Sequence, residues 1–473
     1  MSSPMTQEQR YIKMTETPIS RLIPSLAIPT IISMLVTSIY NMADTFFVSQ
    51  ISTSASAAVG VSYSLMAMIQ ALGFTLGMGS GNYLSRVLGS RDTEKAERIA
   101  STGFYSAIFV GLLFALICLP NLDRVVRLLG ATDTIAPYAK DYARYILIAA
   151  PVMTGALSMN NLLRFQGLAV YSMIGITTGG ILNMILDPIF IFGLDLGISG
   201  AALATVISQA VCGIVALRLL YSRHRLIASP RIPRDTLGKA WKTIIRFAVP
   251  ATLGMLLMPI GSAVITRIVA SFGDAAVAAT AAASRLEVVA FIFPMALGIA
   301  LMPMVAQNYG ARRFDRINQC RRFAMRFAGG FLLTMAVIYF FAAPYVVGWF
   351  SKDPEVQRIM ILYLRIVSFG FAAVEIHRFS GFFFTGCGRP AAAAFLNALR
   401  VVVFLVPFSL LALWAGSLVL VFWARLAADL LAGGIACYAA RRMTRNLPEE
   451  PFGKPQETPA EFQAEAVNES AEL

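Results

Sequence analysis

Charge is scarce in this sequence. Only 14% of its 473 residues are Asp, Glu, Lys or Arg, against about 25% in soluble proteins, while 57% are hydrophobic. Water cannot be the main solvent of such a chain. Histidine is limited to His224 and His377, which leaves no nucleophile and base pair or histidine metal constellation and argues against an enzyme. The five cysteines, Cys118, Cys212, Cys320, Cys387 and Cys437, are widely scattered. They indicate neither a disulfide framework nor a zinc motif and read as packing residues. No Walker loop is present, so ATP hydrolysis is not the expected energy source. The short alternating segments of a β-barrel are missing, as are the acidic rings or re-entrant filter of a channel. The start, Met1 to Arg21, lacks an apolar core followed by a small-residue cleavage site. No cleavable leader is expected, and the first span would itself direct insertion.

What fills the chain instead is a series of uncharged runs, among them Ile99 to Leu122, Tyr145 to Leu163, Phe247 to Thr266 and Phe327 to Ser351. Each approaches or exceeds the roughly 20 residues an α-helix needs to cross a bilayer. The run from Thr45 to Ser85 is too long for one span, and QISTSAS (50–56) supplies its turn. The expected fold class is an all-α polytopic membrane protein with twelve spans, at 22–48, 57–80, 98–120, 136–158, 165–193, 196–220, 242–271, 276–305, 322–348, 355–380, 388–414 and 416–440.

The net charge of +13 does not form one stripe, so no nucleic-acid partner is expected. Arg86, Arg91, Lys95 and Arg98 follow span two; Arg223 to Lys242 contains six cations after span six; Arg312, Arg313, Arg316, Arg321 and Arg322 follow span eight. The loops at 49–56, 193–197, 272–275 and 414–417 carry no Lys or Arg. By the positive-inside rule the basic loops are cytoplasmic, and with twelve spans both termini lie inside a bacterial inner membrane. The expected organisation is a cytoplasmic segment 1–21, a first bundle 22–220, a basic linker 221–241, a second bundle 242–440 and an acidic tail 441–473. The tail has the composition of a disordered segment.

The two bundles are copies. At an offset of 221 (250 − 29) Pro29 meets Pro250, Met34 meets Met255, Thr45 meets Thr266, Gly89 meets Gly310 and Arg91 meets Arg312. Later an offset of 219 pairs Gly167 with Gly386, Pro188 with Pro407 and Gly197 with Gly416. Six spans per copy make a parallel repeat, an architecture in which transporters bind substrate between halves that rock alternately.

The copies differ in their buried polar groups. Asp44 corresponds to Ile265, while Asn183 and Asp187 correspond to Val402 and Val406. A carboxylate within a bilayer costs at least about 2.5 kcal/mol and needs a partner, a proton or an ion. Asp44 and Asp187 each fall about six residues, roughly 9 Å, from the outer ends of spans one and five, and Thr205 lies roughly 14 Å into span six. Asn183 and Asp187, four apart, share a helix face, and Asn41 precedes Asp44 by three. These oxygens suit a small hard cation, Na⁺ included, or an exchangeable proton. The alternative is a set of helix caps and interhelical hydrogen bonds. Pro29 removes a backbone hydrogen bond from span one, as a static kink or a hinge. Asp195, in a short outer loop, reads as solvated.

Taken together, Pro29 with IYNMADTFFVSQI (39–51), ILNMILDPIFIFGLDLGISGAALATVISQ (181–209) and PMALGIALMPMVAQNYGARR (294–313) resemble the multidrug and toxic compound extrusion (MATE) family, within the larger class of lipid and polysaccharide flippases; the branch indicated is DinF-like. The resemblance implies a V-shaped transporter with a central cavity, exporting bulky amphipathic or cationic compounds in exchange for H⁺ or Na⁺. It implies cation binding or protonation at Asp44, Asn183, Asp187 and Thr205, with Tyr142 nearby and Pro29 bending span one. It offers a second acidic site at Glu287, in SRLEVVAF (284–291), but the usual aspartate partner is missing: FAAVEIHRFSG (371–381) has Val374 there, with Glu375, His377 and Arg378 alongside. Those three are expected to neutralise one another or line a substrate path. Arg425 and Asp429, four apart, read as an ion pair. No cofactor is expected beyond the coupling ion, the partners are membrane lipid and small molecules, and the chain is expected to act as a monomer. A lipid-saccharide flippase is the alternative, with Arg267, Arg285 and Arg400 available for a phosphate.

Overall fold

The computed structural model describes residues 6–224 and 234–447. The centre of the basic linker and most of the acidic tail lie outside the described residues. A short amphipathic helix, α1 (Gln7–Thr15), opens the chain behind a capping box made by Thr6 and Gln9. The first half follows as α2 (Ile19–Ser49), α3 (Thr53–Gly89), α4 (Thr93–Cys118), the short α5 (Leu122–Leu128), α6 (Ala136–Phe165), α7 (Ala169–Pro188) with a π-helical end (Ile189–Gly193), and α8 (Gly197–His224). The second half comprises α9 (Arg234–Ala270), α10 (Asp274–Gly310), α11 (Phe314–Val346), α12 (Pro354–Val367) continued by α13 (Phe371–Gly386), α14 (Pro390–Ala398) continued through a π segment (Leu399–Leu405) into α15 (Val406–Trp414), and α16 (Leu418–Arg445).

Among the described residues twelve helices are long and apolar enough to cross a membrane, so this is a multi-pass membrane protein. The expected spans have the right number and order, but several ends move. Span two runs to Gly89, nine residues past its expected end at 80, because its last turns form a contact between the halves instead of crossing lipid. Span five starts at Ala169, not at 165: Gly167, at φ +79°, stops α6 in the left-handed conformation that glycine tolerates. Helix α16 continues to Arg445, into the segment read as tail.

Backbone conformation follows the repeat. Arg91 and Arg312 adopt φ +60° and +57°, Gly197 and Gly416 +54° and +70°. Gly167, however, matches Gly388 (φ +80°) and not Gly386, so the register changes from 221 to 219 only after these turns. The correspondence of the polar site survives this correction: at 221, Asn183 and Asp187 face Phe404 and Phe408, still apolar.

The halves meet at the face that carries the basic loops. There α3 and α10 touch backbone to backbone: a Cβ on Gly89 would overlap the Gln307 carbonyl oxygen, and one on Gly310 the Arg86 carbonyl oxygen. Gln307 Nε2 donates to the Phe165 carbonyl (3.1 Å), Asn308 Nδ2 to the Met14 carbonyl (3.1 Å), and Arg316 Nη2 to the Thr17 carbonyl (2.6 Å). Helix α2 belongs to both sides of the molecule. Its early residues Ile19, Leu22, Ile23, Leu26 and Ala27 lie in a core cluster with Leu301, Met304 and Ala324 of the second half, whereas Val36 and Tyr40 pack on Gly180 of α7. The first bundle is therefore not closed at residue 22, and Pro29 stands where α2 crosses over.

At the opposite face α5 carries arginines that the loop survey passed over. Arg127 pairs with Asp123 (3.0 Å) and Asp133 (2.6 Å), so the cation does not oppose the charge bias between the faces. Asp195 is exposed there, as expected, at φ +52°.

Candidate functional site

Small residues on α7 build the site. A Cβ on Gly180 would stand 2.9 Å from Val36 and 3.0 Å from Tyr40, and one on Gly179 would stand 3.0 Å from the Ser208 carbonyl. Gly179 thus lets the backbone of α8 approach α7, and Gly180 makes room for the Val36 and Tyr40 side chains of α2, the small-residue packing that membrane helices use in place of a hydrophobic driving force. One turn beyond Tyr40 on α2 comes Asp44, and two turns beyond Gly180 comes Asp187.

The residues expected to cluster do so. Asn183 Nδ2 lies 3.4 Å from Asp187 Oδ1 and 3.5 Å from Thr205 Oγ1. Tyr142, buried on α6, faces Thr205 and both carboxylates, and Asp44 lies within Coulombic reach of Asp187. Asn183, Asp187 and Thr205 are buried; Asp44 and Asn41 are half-buried. Asp44 Oδ1, Asn183 Oδ1 and Asp187 Oδ2 have no hydrogen-bond partner, and among the described residues no Lys or Arg neutralises either aspartate. Buried acceptors without donors are costly and uncommon in native proteins. An oxygen-rich pocket of this kind has the chemistry to accept a proton or a small hard cation. The interhelical Asn183–Thr205 contact is of the kind that the alternative of interhelical hydrogen bonds expects, and it leaves those three oxygens open.

Two neighbours were missed by the sequence reading. Ser208, three residues after Thr205 on α8, has a buried hydroxyl without a partner, and Tyr40 faces Asp44 one turn earlier on α2. Their i+3 and i−4 spacing from site residues was the available signal.

The second acidic site does not assemble. Glu287 is held by Arg425 Nη2 (2.9 Å) and by the Tyr363 hydroxyl, which Arg425 also contacts. Glu375, fully buried, faces Arg378 at 3.1 Å, and the two glutamates share no partner. Arg425 and Tyr363 satisfy Glu287, whereas Glu375 has Arg378 as its ion-pair partner but no hydrogen bond to either carboxylate oxygen. Arg425 and Asp429 are 3.9 Å apart, so the expected pair is a secondary contact. Asp429 also takes Arg400, with Oδ1 accepting from Nε (3.0 Å) and Nη2 (2.8 Å). The expected Arg425–Asp429 pair is thus present, and the additional partners, Arg400 on the neighbouring span and Glu287 on span eight, could not be read from i+4 spacing. His377 is not a ligand-set member: its Nε2 lies 3.1 Å from the Leu396 carbonyl.

The internal repeat reappears in comparison with known families. The MatE family model matches twice, over residues 29–189 and 250–411, each match starting at one of the paired prolines. The chain belongs to the MatE family. Relatives include an FAD transporter of Shewanella oneidensis, 30% identical over 438 residues, covering 89% of this chain and 94% of the relative. Another is the multidrug export protein MepA of Staphylococcus haemolyticus, 28% identical, covering 80% and 83%. A solved MATE structure in a bent conformation superposes with TM-score 0.85 at 25% identity, over 94% of this chain and 99% of that one. A MOP superfamily transporter from Pyrococcus furiosus, described as having a binding pocket of reverse polarity, gives 0.83 at 25% over 95% and 100%. These are transporters with the V-shaped, two-lobed fold, and this chain shares it. The family is assigned by these matches; the DinF-like branch stays an expectation.

Between the lobes of this MatE protein lies a cavity of about 290 Å³. Phe74, Met78, Asn161 and Arg164 line it from the N-lobe, and residues such as Met258, Phe382, Arg378 and Arg400 from the C-lobe. Of the three arginines considered for a phosphate, only Arg400 lines it; Arg267 and Arg285 are exposed elsewhere. Flexible methionine and aromatic walls can repack around different ligands.

Proposed function

We propose that this protein is a secondary-active antiporter of the bacterial inner membrane, with its basic face in the cytoplasm, that exports bulky amphipathic compounds in exchange for H⁺ or Na⁺. The observation that carries the reading is the oxygen cluster of Asp44, Asn183, Asp187 and Thr205, where among the described residues neither carboxylate has a Lys or Arg beside it, whereas Glu287, Glu375 and Asp429 of the C-lobe each have a guanidinium partner. A proton or Na⁺ entering it from outside satisfies those atoms, and the resulting movement of α2 and α7 is transmitted to the cavity. Pro29 is the natural bending point, since α2 is anchored to the C-lobe core on one side of it and to α7 on the other. Export is supported by relatives named as multidrug export proteins, beside one named as an FAD transporter.

Everted membrane vesicles test this directly. An H⁺ gradient alone or a Na⁺ gradient alone is imposed, and accumulation of an amphipathic dye is followed. One of the two gradients drives accumulation if the reading holds. Transport driven by neither, or only by ATP, contradicts it.

A further inference from the structure

The resemblance brings with it an expectation of cationic cargo, but the cavity wall offers the opposite chemistry. Three guanidinium groups, Arg164, Arg378 and Arg400, line it together with the amides of Asn161 and Asn397, and no Asp or Glu does. The carboxylates that balance two of these arginines stand behind the wall: Glu375 is fully buried beneath Arg378 and Asp429 is 1% exposed beneath Arg400. They hold the guanidinium groups in place without showing a negative surface to the cavity. Arg400 spends Nε and Nη2 on Asp429, while its Nη1 approaches the Met258 sulfur (3.7 Å) at the wall. Arg164 is different. Its Nε donates to the Ser172 hydroxyl (3.1 Å), and among the described residues no carboxylate pairs with it.

A guanidinium removed from water without an anion is expensive, because the lost hydration is not replaced by an opposite charge. Arginine presents a planar fork of donors that matches carboxylate, phosphate or sulfonate oxygens two at a time. Apart from His377 and Thr385, the rest of the wall is apolar and aromatic, including Phe74, Phe165 and Phe382. A ligand that completes this cavity therefore has an apolar or aromatic body and at least one anionic group to meet Arg164.

We infer that the substrate class of this cavity is the aromatic organic anion, recognised through Arg164 with Arg378 and Arg400 in support. The inference rests on the exporter reading, but equilibrium binding separates the two. Purified full-length protein in neutral detergent is titrated with fluorescein, a dianion above its own pKa, and with rhodamine 6G, a cation on the same xanthene ring, by fluorescence anisotropy. Fluorescein binds the wild type at least roughly tenfold more tightly than rhodamine, the scale of one charge-assisted contact. Arg164→Gln abolishes that advantage and Arg164→Lys restores part of it, while rhodamine binding is unchanged or improved by Arg164→Gln. Binding is read at equilibrium with no ion gradient, so a coupling failure, seen only in ion-driven transport, and a recognition failure, seen in the titration, give different results. Rhodamine binding equal to or tighter than fluorescein in the wild type overturns the inference, as does fluorescein binding indifferent to Arg164→Gln. Displacement of fluorescein by phosphatidylglycerol in the micelle, with no displacement by soluble FMN, assigns the anion site to a lipid headgroup and overturns the soluble-substrate assignment.

Discussion

In the N-lobe, Asp44 and Asp187 face amides and hydroxyls and keep acceptor atoms without partners. In the C-lobe, Glu287 and Asp429 face guanidinium groups at 2.9 and 2.8 Å. The two lobes are otherwise built alike. Each ends its second helix on a glycine pressed against the other lobe. Each also keeps a buried tyrosine at the same repeat position (363 − 142 = 221), Tyr142 beside the aspartates and Tyr363 bridging Glu287 and Arg425. Duplication supplied one scaffold. In one copy the carboxylates meet only amides and hydroxyls, and in the other each buried carboxylate has a guanidinium partner, although Glu375 and Asp429 Oδ2 still lack hydrogen bonds.

Breaking the comparison at its open end has the largest effect. Asp187→Asn leaves the backbone contacts of α7 intact but removes the charge, and ion-driven efflux in vesicles falls to background. Opening the closed end tests stability instead. Arg400→Met removes both hydrogen bonds to Asp429 and leaves it only Arg425 at 3.9 Å, a loss of about 3 kcal/mol read as a lowered thermal midpoint in detergent. The double change Arg400→Met with Asp429→Leu recovers most of it, whereas no such rescue exists for the N-lobe aspartates.

Where the lobes are alike, equal effects are expected. Gly89→Ala and Gly310→Ala each force a methyl group into the facing carbonyl, costing about 1–3 kcal/mol of overpacking, and the two variants should lower the thermal midpoint to the same degree. Unequal shifts would mean that the contact is not symmetric. The smallest effect belongs to Tyr142→Phe. It removes one hydroxyl from the oxygen cluster and slows efflux severalfold without abolishing it, as measured by initial rates.

The fold was legible because lipid imposes a simple rule: a helix must be long and apolar to cross, so runs of uncharged residues reveal spans. Helix ends were less legible where helices continue past the bilayer into protein contacts, as α3 does to Gly89. The N-lobe cluster was legible because its members sit on three helices at matching depths, and because the repeat shows Asp44 against Ile265. The C-lobe pairs were not. Arg425 is 138 residues from Glu287 and Arg400 is 29 from Asp429, and a one-dimensional pattern favours the nearer partner, which is why Arg425 was set against Asp429. The repeat aligned Gly89 with Gly310 but held no sign that the aligned glycines lie in one interface.

The central claim is that only one lobe couples to an ion. Reconstituted proteoliposomes carrying Asp44→Asn and Glu287→Gln, compared side by side for ion-driven dye uptake, test it most directly. The account predicts background transport for Asp44→Asn and at least about half of wild-type transport for Glu287→Gln, whose charge is already neutralised within the protein. Normal transport by Asp44→Asn, or equal loss in both variants, would contradict it.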